Sequence, residues 1–421
     1  MADDLITRDA RHVWHPYTQA ATEPAPIPVR AASGARLVLE DGTELVDGIS
    51  SWWATLHGHG EPRLVEAARA QMERLDHVLF AGATHEPGVA LAEELSRVAP
   101  DGLTRTFFSD DGSTAVEVAL KIALQAHAQR DEPERRVFVA LEGGYHGDTF
   151  GAMAVGDPDP FFMPFAPFLF EVQRVPAESA AIVGALDELG ERAAGVILEP
   201  RLQGAAGMRI HDVEVVRAVR AACDERGVFL IADEVMTGFG RTGALFSCLA
   251  CGVTPDLLCL AKGLTGGMYP LSATMATEAL YETFLSNVRT RALFHGHTFT
   301  GNPTGCAVAL ESLRVNEERD TPGQLQRVGA SILGGLASLE GDDRIADLRH
   351  LGGMVAFDLT GGDSGYLSER GPRLRSVARQ HGALLRPLGN VVYALPPACT
   401  TEEECATISR AMLAMVDAWS S

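Results

Sequence analysis

Two residues with complementary chemistry follow apolar runs that are typical of buried strands. Asp233 ends the run GVFLIAD, and Lys262 follows the run DLLCLA. A lysine amine can condense with an aldehyde cofactor, and a carboxylate can keep a pyridine nitrogen protonated so that the ring accepts electrons. Both residues would reach the carboxyl edge of an α/β sheet, where such sheets bind ligands. The pair predicts a pyridoxal phosphate site. Taken alone, it is also compatible with two strand-end polar residues that share no role.

The segment SDDGST, residues 109–114, could bind the phosphate of such a cofactor. It stands directly before a helical pattern of apolar residues, namely Val116, Ala119, Leu120, Ala123 and Leu124. The N–H groups of Gly112 and Ser113 would then lie at a helix N-terminus, where the helix dipole attracts anions. An ordinary N-cap at Asp111 or Ser113 is the simpler interpretation of the same segment.

Aromatic residues that could line a pocket occur in two further segments. The glycine-rich loop GGYHGDT, residues 143–149, presents Tyr145, His146 and Asp148, and Tyr145 could stack on a cofactor ring. A plain surface loop is the alternative. Trp52 and Trp53 are adjacent, and neighbouring residues of a strand point to opposite faces. We therefore expect at most one of the two indoles in the core, which leaves the other to wall an apolar pocket.

Arg386 stands just before a predicted strand in the segment LLRPLGNVVYALPP. Its guanidinium could bind a substrate carboxylate through two parallel hydrogen bonds. An exposed loop arginine without a ligand is an equally good local interpretation.

These residues need a scaffold, and the chain predicts one of alternating strands and helices. Short apolar segments that read as strands cover residues 105–108, 137–141, 195–198, 228–232, 257–260 and 271–275. Strands that are apolar on both faces are typical of a parallel sheet covered by helices on each side. The proline-rich stretch 156–170 predicts a long ordered loop, and Asp41-Gly42 predicts a hairpin turn.

The pattern of predicted helices and strands changes after about residue 310. A long helix over residues 304–318 is followed by two predicted strands, 354–359 and 391–395, which indicates a smaller α+β unit. We expect residues 1–55 to form an N-terminal arm and part of the small domain. Residues 56–315 then form the large cofactor-binding domain, and residues 316–421 form the C-terminal small domain.

Composition excludes several classes of function. The 56 acidic and 35 basic residues give a formal net charge of -21, which disfavours nucleic acid and anionic membranes. No apolar run approaches the roughly 18 residues of a transmembrane helix. The N-terminal residues lack the features of a secretion signal, and seven irregularly spaced cysteines suggest reduced thiols. Cys248 and Cys251 lack further ligands nearby, so we expect no metal site. The reduced thiols and the missing secretion signal together predict a cytoplasmic protein.

Three segments together resemble the signature of the class III aminotransferases, which have fold type I. They are IADEVMTGFGRTG, LAKGLTGGMYPLSA and HTFTGNPTGCA, in that order. The resemblance extends over essentially the whole chain. It implies an α/β fold with a mainly parallel central sheet in a large domain and a smaller α+β domain. It also implies pyridoxal 5'-phosphate as cofactor and a homodimer with active sites at the subunit interface.

Four other segments resemble the class III members of the biotin pathway. These segments are WHPYTQ (14–19), DGISSWWATLHGHG (47–60), FFSDDGSTAVEVALK (107–121) and GGYHGDTFGAMAVGD (143–157). The resemblance implies transfer of an amino group from S-adenosylmethionine to 8-amino-7-oxononanoate, in two half-reactions within one pocket. Lysine as the donor, or another class III ω-aminotransferase activity, remains the alternative.

The resemblance also implies roles for individual residues. Lys262 would form the Schiff base and move protons, and Asp233 would pair with the pyridine nitrogen. Tyr17 would act in the pocket with support from a hydrogen bond to Asp148. Further cofactor contacts would come from Gly112, Ser113, Tyr145, Gln203, His297 and Thr298, with Thr298 reaching across from the partner subunit. Substrate contacts would come from Tyr17, Trp52, Trp53, Tyr145 and Arg386, and from Gly296 of the partner subunit. Arg241 is a candidate for a structural or substrate contact, and His297 stands where the family usually has proline.

Overall fold

The computed structural model describes residues 4–158, 161–362, 365 and 368–420. The strands, numbered along the chain, are β1 (Val29–Ser33), β2 (Arg36–Leu39), β3 (Glu44–Asp47), β4 (Leu103–Ser109), β5 (Val137–Leu141), β6 (Val172–Val175), β7 (Ala193–Leu198), β8 (Leu202–Gln203), β9 (Arg209–Ile210), β10 (Phe229–Asp233), β11 (Leu257–Leu260), β12 (Ser272–Thr277), β13 (Ile345–Leu351), β14 (Met354–Leu359), β15 (Ala383–Leu384) and β16 (Val391–Ala394).

The helices are α1 (Leu5–His12), α2 (Ser50–Trp53), α3 (Pro62–Arg74), α4 (Glu86–Val98), α5 (Gly112–Gln129), α6 (Phe150–Val155), α7 (Ser179–Leu189), α8 (Val213–Arg226), α9 (Ser247–Cys251), α10 (Glu278–Glu282), α11 (Pro303–Glu318), α12 (Thr321–Gly335), α13 (Arg370–Gln380) and α14 (Glu402–Ser420). Short 3-10 helices cover Met163–Phe168, Gly190–Arg192, Lys262–Thr265, Arg289–Arg291 and Ala337–Leu339.

The central sheet has seven strands in the order β4-β12-β11-β10-β7-β5-β6. The five strands from β11 to β6 run parallel, and β12 is antiparallel to both of its neighbours, β11 and β4. The strands β5, β7, β10 and β11 are buried along their whole length, which agrees with their unbroken apolar sequences. Because parallel strands end at the same edge, their carboxyl ends meet.

Helices cover both faces of this sheet, which confirms the predicted α/β architecture. On one face, α5 buries the apolar stripe predicted from its spacing, including Val116, Ala119 and Ala123, against the strands. On the other face, α7 and α8 bury residues such as Leu186 and Val219. Each helix buries one stripe because its apolar residues recur at helical spacing.

The sequence did not reveal the edge strand β6, and it gave no indication of β13. The strand β6 reads VQRV and is only half-buried, so it lacks the continuous apolar run by which the central strands were found. In the proline-rich stretch 156–170, the predicted loop contains a 3-10 helix at Met163–Phe168, and residues 159 and 160 lie outside the described ranges.

The C-terminal part forms a smaller unit around the antiparallel sheet β13-β14-β16. Helices α12, α13 and α14 pack on it through buried residues that include Ile332, Leu374 and Ile408. The predicted hairpin is present, since β2 and β3 pair antiparallel around Asp41-Gly42. This hairpin belongs to a sheet in which β3 pairs with β15, so N-terminal residues pack with the C-terminal unit.

In the ranges given above, no helix is long and apolar enough to cross a membrane. The seven cysteines carry free thiols, and all except Cys399 are buried. Cys248 and Cys251, the pair with C-x-x-C spacing, lie in and at the end of α9.

Candidate active site

Three polar residues stand at the carboxyl ends of neighbouring parallel strands. Glu199 follows β7, Asp233 ends β10, and Lys262 follows β11 after one intervening residue. All three line one cavity of about 500 Å³. We call these three residues the cavity floor. The parallel order β7-β10-β11 therefore brings together residues that are far apart in the sequence.

Lys262 is held in an unusual backbone conformation at the start of a 3-10 turn. Its φ angle is 44°, in the left-handed region that non-glycine residues adopt only at a cost of about 1–3 kcal/mol. Its ammonium nitrogen lies 4.8 Å from the ring centre of Trp53. Burial lowers the pKa of Lys262, although the carboxylates of Asp233 and Glu199 oppose that shift. The lowered pKa favours the neutral amine, which is the nucleophilic form.

Asp233 is fixed by two hydrogen bonds. Its Oδ2 lies 2.7 Å from Nδ1 of His146, and its Oδ1 accepts from the backbone N–H of Val235 at 3.0 Å. Burial acts to lower the pKa of His146, but the hydrogen bond to Asp233 and the charge of that carboxylate prevail and raise it. The contact with His146 thus fixes the orientation of the Asp233 carboxylate at the cavity floor.

The helix α5 begins at Gly112, and its N-cap is Asp111. The Asp111 side chain accepts from the N–H of Thr114 at 2.9 Å, and the Thr114 hydroxyl accepts from the N–H of Asp111 at 3.1 Å. This capping box leaves the N–H groups of Gly112 and Ser113 without a hydrogen-bond acceptor among the described residues. Both residues line the cavity. A phosphate at this helix N-terminus would supply the missing acceptors.

Close packing at this helix N-terminus depends on a glycine. Gly147 has a φ of +125°, and a Cβ there would lie 2.0 Å from the hydroxyl oxygen of Ser113. The same hydroxyl accepts a hydrogen bond from the N–H of Asp148 at 3.0 Å. The loop that carries Tyr145 and Asp148 is thereby fastened to the start of α5.

Two tyrosines meet on one carboxylate at the cavity wall. Oη of Tyr17 donates to Oδ1 of Asp148 at 2.6 Å, and Oη of Tyr145 donates to the same oxygen at 3.0 Å. Tyr17 also packs edge-on against Trp52, with ring centres 5.7 Å apart, and against Phe161 at 5.4 Å. We call Tyr17, Trp52 and Asp148 the cavity wall.

The two tryptophans lie in a left-handed turn and not in a strand. The φ angles of Ser50, Ser51, Trp52 and Trp53 are 50°, 44°, 74° and 70°. Both indoles line the cavity. Trp52 is 40% exposed, whereas Trp53 is 4% exposed and donates its indole N–H to Oη of Tyr393 at 3.0 Å. Only one indole is in the core, as expected, but the alternation of a strand is the wrong reason for it.

Arg386 lies beside the cavity and does not line it. Its guanidinium carbon is 5.3 Å from the ring centre of Trp52. Arg386, Arg375 and Arg379 line a neighbouring cleft of about 380 Å³, which shares Trp52 with the cavity. Arg386 thus contacts the indole that the cleft and the cavity share.

Gln203 and Arg241 are both buried, in different settings. Gln203 donates its amide to the carbonyl oxygen of Glu142 at 3.2 Å and does not line the cavity. Arg241 donates to the carbonyl oxygens of Pro396, Trp53 and Thr55 at 3.0 to 3.2 Å. Of its two proposed roles, these contacts favour the structural one, because the guanidinium joins the tryptophan turn to the C-terminal unit.

The residues predicted to act across a subunit boundary do not line the cavity of their own chain. Gly296, His297 and Thr298 are not among its lining residues. Nε2 of His297 lies 3.7 Å from Oδ1 of Asp110, which precedes the start of α5. Their contribution to the cavity of a partner subunit remains a prediction.

Sequence reasoning missed the role of two buried residues of this site. His146 was seen only as part of a glycine-rich loop, although it holds Asp233. Glu199 was not singled out, although it ends the run GVILE much as Asp233 ends its own run. Its carboxylate accepts from the N–H groups of Tyr145 at 3.1 Å and Gly204 at 2.8 Å. Burial raises the pKa of Glu199 to about 7.

The donor set fits pyridoxal phosphate. One cavity holds a buried amine on Lys262, a buried and ordered carboxylate on Asp233, and an aromatic ring on Tyr145. It also holds the uncapped N–H groups of Gly112 and Ser113. An amine for the aldehyde, a carboxylate for the ring nitrogen, a helix N-terminus for the phosphate and an aromatic for the ring face match the groups of this cofactor.

Fold and site together define an aminotransferase that works with pyridoxal phosphate. The family described as Aminotransferase class-III matches residues 17–416, and the chain belongs to this family. Among characterised sequences, it is 47% identical to adenosylmethionine-8-amino-7-oxononanoate aminotransferase of Synechococcus elongatus, over 96% of this chain and 98% of that protein.

Solved structures agree with this assignment. The adenosylmethionine-8-amino-7-oxononanoate aminotransferase of Methanocaldococcus jannaschii superposes with a TM-score of 0.94 at 34% identity, covering 98% of each chain. An amine transaminase from an uncultivated Pseudomonas species, solved with pyridoxal phosphate bound, has a TM-score of 0.91 at 31% identity. That alignment covers 97% of this chain and 98% of the transaminase.

Proposed function

We propose that this enzyme transfers an amino group from S-adenosylmethionine to 8-amino-7-oxononanoate and so forms 7,8-diaminononanoate for biotin synthesis. The 47% identity to a relative named for these substrates supports the proposal. The structural observation that carries it is the joining of the wall residues Tyr17, Trp52 and Asp148 to the reactive pair Lys262 and Asp233 in one cavity. Two dissimilar substrates can use this cavity in turn.

The floor residues Lys262 and Asp233 have separate roles in the reaction. When bound, pyridoxal phosphate supplies an electron sink that acidifies the C–H bond beside the reacting amine. Lys262 would hold the cofactor through its amine, and its neutral Nζ would take the proton from the substrate carbon. Asp233, oriented by His146, would hold the proton on the pyridine nitrogen. The lowered pKa of Lys262, caused by burial, suits the amine to act as a base.

The wall residues contact different chemical groups of the substrates. The flat face of Trp52 accepts apolar chains from either substrate, and the Tyr17 hydroxyl, ordered by Asp148, gives the wall one polar group. Arg386 stands on the cleft side of Trp52 and binds the carboxylate of the oxononanoate. A bidentate guanidinium-carboxylate contact gives orientation as well as affinity.

The proposal includes a cytoplasmic homodimer in which Gly296, His297 and Thr298 of the partner subunit complete each cavity. Exposed apolar side chains around that segment support a contact surface, among them Phe294 at 76% and Phe299 at 59% exposure. The proposed domain limits of 1–55, 56–315 and 316–421 keep all seven strands of the central sheet in the large domain.

An absorbance spectrum of the purified protein tests the reaction. We expect a band of the lysine-bound cofactor that S-adenosylmethionine bleaches and 8-amino-7-oxononanoate restores. Bleaching by lysine alone would keep the aminotransferase and replace the donor. Bleaching by simple amines, with no recovery on the oxononanoate, would favour an ω-aminotransferase such as the similar amine transaminase.

The change Arg386→Ala tests the carboxylate contact. We expect the KM for the oxononanoate to rise roughly 10- to 100-fold with little change in kcat, because a binding contact is lost. Steady-state kinetics with both substrates measures this. The matched control is Arg69→Ala, an exposed arginine of α3 that pairs with Glu66. An unchanged KM in Arg386→Ala would remove this residue from the substrate site.

A further inference from the structure

A buried carboxylate lies beneath the turn that carries the two tryptophans. Asp47 is fully buried at the end of β3. It accepts from the N–H of Ser51 at 2.9 Å, the hydroxyl of Ser51 at 2.7 Å, Nε2 of His59 at 2.8 Å and the N–H of Ile49 at 3.4 Å. An aspartate at the surface can accept hydrogen bonds from water, whereas a buried one needs donors from the protein. The four donors therefore identify Asp47 as a structural group of the interior.

The cluster favours a charged Asp47. Burial acts to raise the pKa of Asp47, but the hydrogen bonds from His59 and Ser51 prevail and lower it. A charged acceptor makes hydrogen bonds that are roughly twice as strong as those of a neutral one. Strong bonds are needed here, because the four residues from Ser50 to Trp53 all have left-handed φ angles.

Other contacts hold the ends of the turn. Ser50 donates its hydroxyl to the carbonyl of Leu395 at 2.7 Å, and the Trp53 indole donates to Tyr393. The backbone N–H of Ser51, directly before Trp52, is held by Asp47. The backbone on the N-terminal side of Trp52 is therefore fastened to this carboxylate.

We propose that Asp47, supported by His59, is a positioning residue for transamination that holds the left-handed turn and so presents Trp52 to the substrates. If the turn relaxed, Trp52 would leave its edge contact with Tyr17 and its place over Arg386. Asp47 does not line the cavity and acts only through the turn. This inference rests on the proposed function, since it concerns the wall that those substrates meet.

The change Asp47→Asn tests the proposal, because it keeps the size of the side chain and removes its charge. We expect kcat/KM for the oxononanoate to fall roughly 10- to 100-fold, mainly through KM, since displacing a wall residue by about 1 Å has effects of this size. The near-ultraviolet circular dichroism of the full-length enzyme should change as it does in Trp52→Phe. The matched control is Asp41→Asn, which removes the charge of an exposed turn carboxylate that accepts from the N–H of Thr43, and it should leave both readouts unchanged.

A double-mutant cycle separates positioning from general loss of structure. If Asp47 acts through Trp52, then Asp47→Asn should lower kcat/KM less than about 2-fold in a Trp52→Ala background. An equal loss in both backgrounds would overturn the proposal, and so would wild-type kinetics in folded Asp47→Asn. Wild-type enzyme that fails to convert the oxononanoate would instead contradict the proposed function.

Two milder variants apply if Asp47→Asn does not fold. Ser51→Ala removes one hydroxyl contact, and His59→Ala removes the imidazole donor. Each should raise the KM several-fold, and His59→Gln, whose amide can donate to Asp47, should recover part of the loss. Unchanged kinetics in both alanine variants would also overturn the proposal.

Discussion

The floor and the wall of the cavity differ in what holds their side chains. The floor residues Glu199, Asp233 and Lys262 stand at the ends of parallel strands in the middle of the central sheet. Glu199 and Asp233 are buried, and Lys262 is half-buried. The wall residues Tyr17, Trp52 and Asp148 stand on an N-terminal segment, a strained turn and a loop, and Trp52 is 40% exposed. The floor is thus held by the backbone of the central sheet, while the wall is tied together by a few side-chain contacts.

Under the proposed function, this difference assigns the two tasks of the enzyme to different parts of the fold. Chemistry shared by all class III aminotransferases needs fixed geometry and low polarity, which strand ends within a buried sheet provide. Choice of substrate needs groups that can differ between related enzymes, and loops tolerate such change. Floor variants should therefore lose turnover with every substrate, and wall variants should lose discrimination first.

The largest effect is expected for Lys262→Ala. Loss of the anchoring amine and of the proton carrier together should lower kcat by at least about 10⁴-fold. Stopped-flow and steady-state kinetics with each donor measure the loss, and the absorption band of the lysine-bound cofactor should be absent. Lys121→Ala, a lysine of α5 that contacts His295, is the control. Retained turnover in Lys262→Ala would contradict the assignment of Lys262 as the reacting amine.

Asp233→Asn should have the next largest effect. The neutral amide cannot hold the pyridine proton as a carboxylate does, so kcat should fall roughly 10²- to 10³-fold with both substrates. His146→Gln should show a smaller loss of the same kind, because it disturbs Asp233 without removing it. A change in KM alone would contradict the assignment of Asp233 to the floor.

Glu199→Gln tests the burial of the Glu199 carboxyl group through the pH dependence of the unfolding free energy. Burial raises the pKa of Glu199 to about 7, so the folded protein holds a proton that the unfolded chain releases above its ordinary pKa. The contribution of this group to the unfolding free energy is complete below about pH 4.5 and is lost as the pH rises through about 7, by on the order of 3 kcal/mol. Glu199→Gln should remove that dependence, as measured by urea unfolding.

The wall variant Trp52→Phe is the control for this pH experiment, since it changes no titratable group. Its stability should follow the wild-type pH dependence. A Glu199→Gln protein that keeps the full wild-type slope between about pH 5 and about pH 8 would show that Glu199 is ionised in the folded state throughout.

The smallest effect is expected for Tyr17→Phe. Removing the hydroxyl that donates to Asp148 should lower kcat/KM for S-adenosylmethionine roughly 10-fold and change the second half-reaction less. Asp148→Asn should act similarly, and the double variant should lose less than the sum of the two in free energy. The matched control is Tyr281→Phe on α10. Equal losses with both substrates would indicate that Tyr17 takes part in the reaction itself, as the floor residues do, and not in the choice of substrate.

Prediction from the sequence succeeded where one local signal fixes the structure. Buried apolar runs located β5 and β11, and the polar residues after such runs located Asp233 and Lys262. The edge strand β6 was missed, since its half-buried sequence lacks that signal. His146 was missed because its importance comes from a contact with Asp233, a residue far along the chain.

Two other expectations depended on contacts that no local pattern encodes. The strand argument for Trp52 and Trp53 failed because four left-handed residues are held by Asp47 and by neighbours from the C-terminal unit. Arg386 was expected to bind a substrate carboxylate, and the structure places it beside the pocket, on the cleft side of Trp52. Both outcomes were decided by how the N-terminal and C-terminal segments pack together.

The sequence by itself determined the reactive groups, the strands that end at them and the helix that begins at Gly112. These features follow from hydrophobic periodicity and from capping, which act over a few residues. Only the tertiary structure decided the pairing of Asp233 with His146, the left-handed turn above Asp47 and the position of Arg386. Each of these depends on groups distant in the chain, whose contact energies offset strain or desolvation that no short segment could sustain alone.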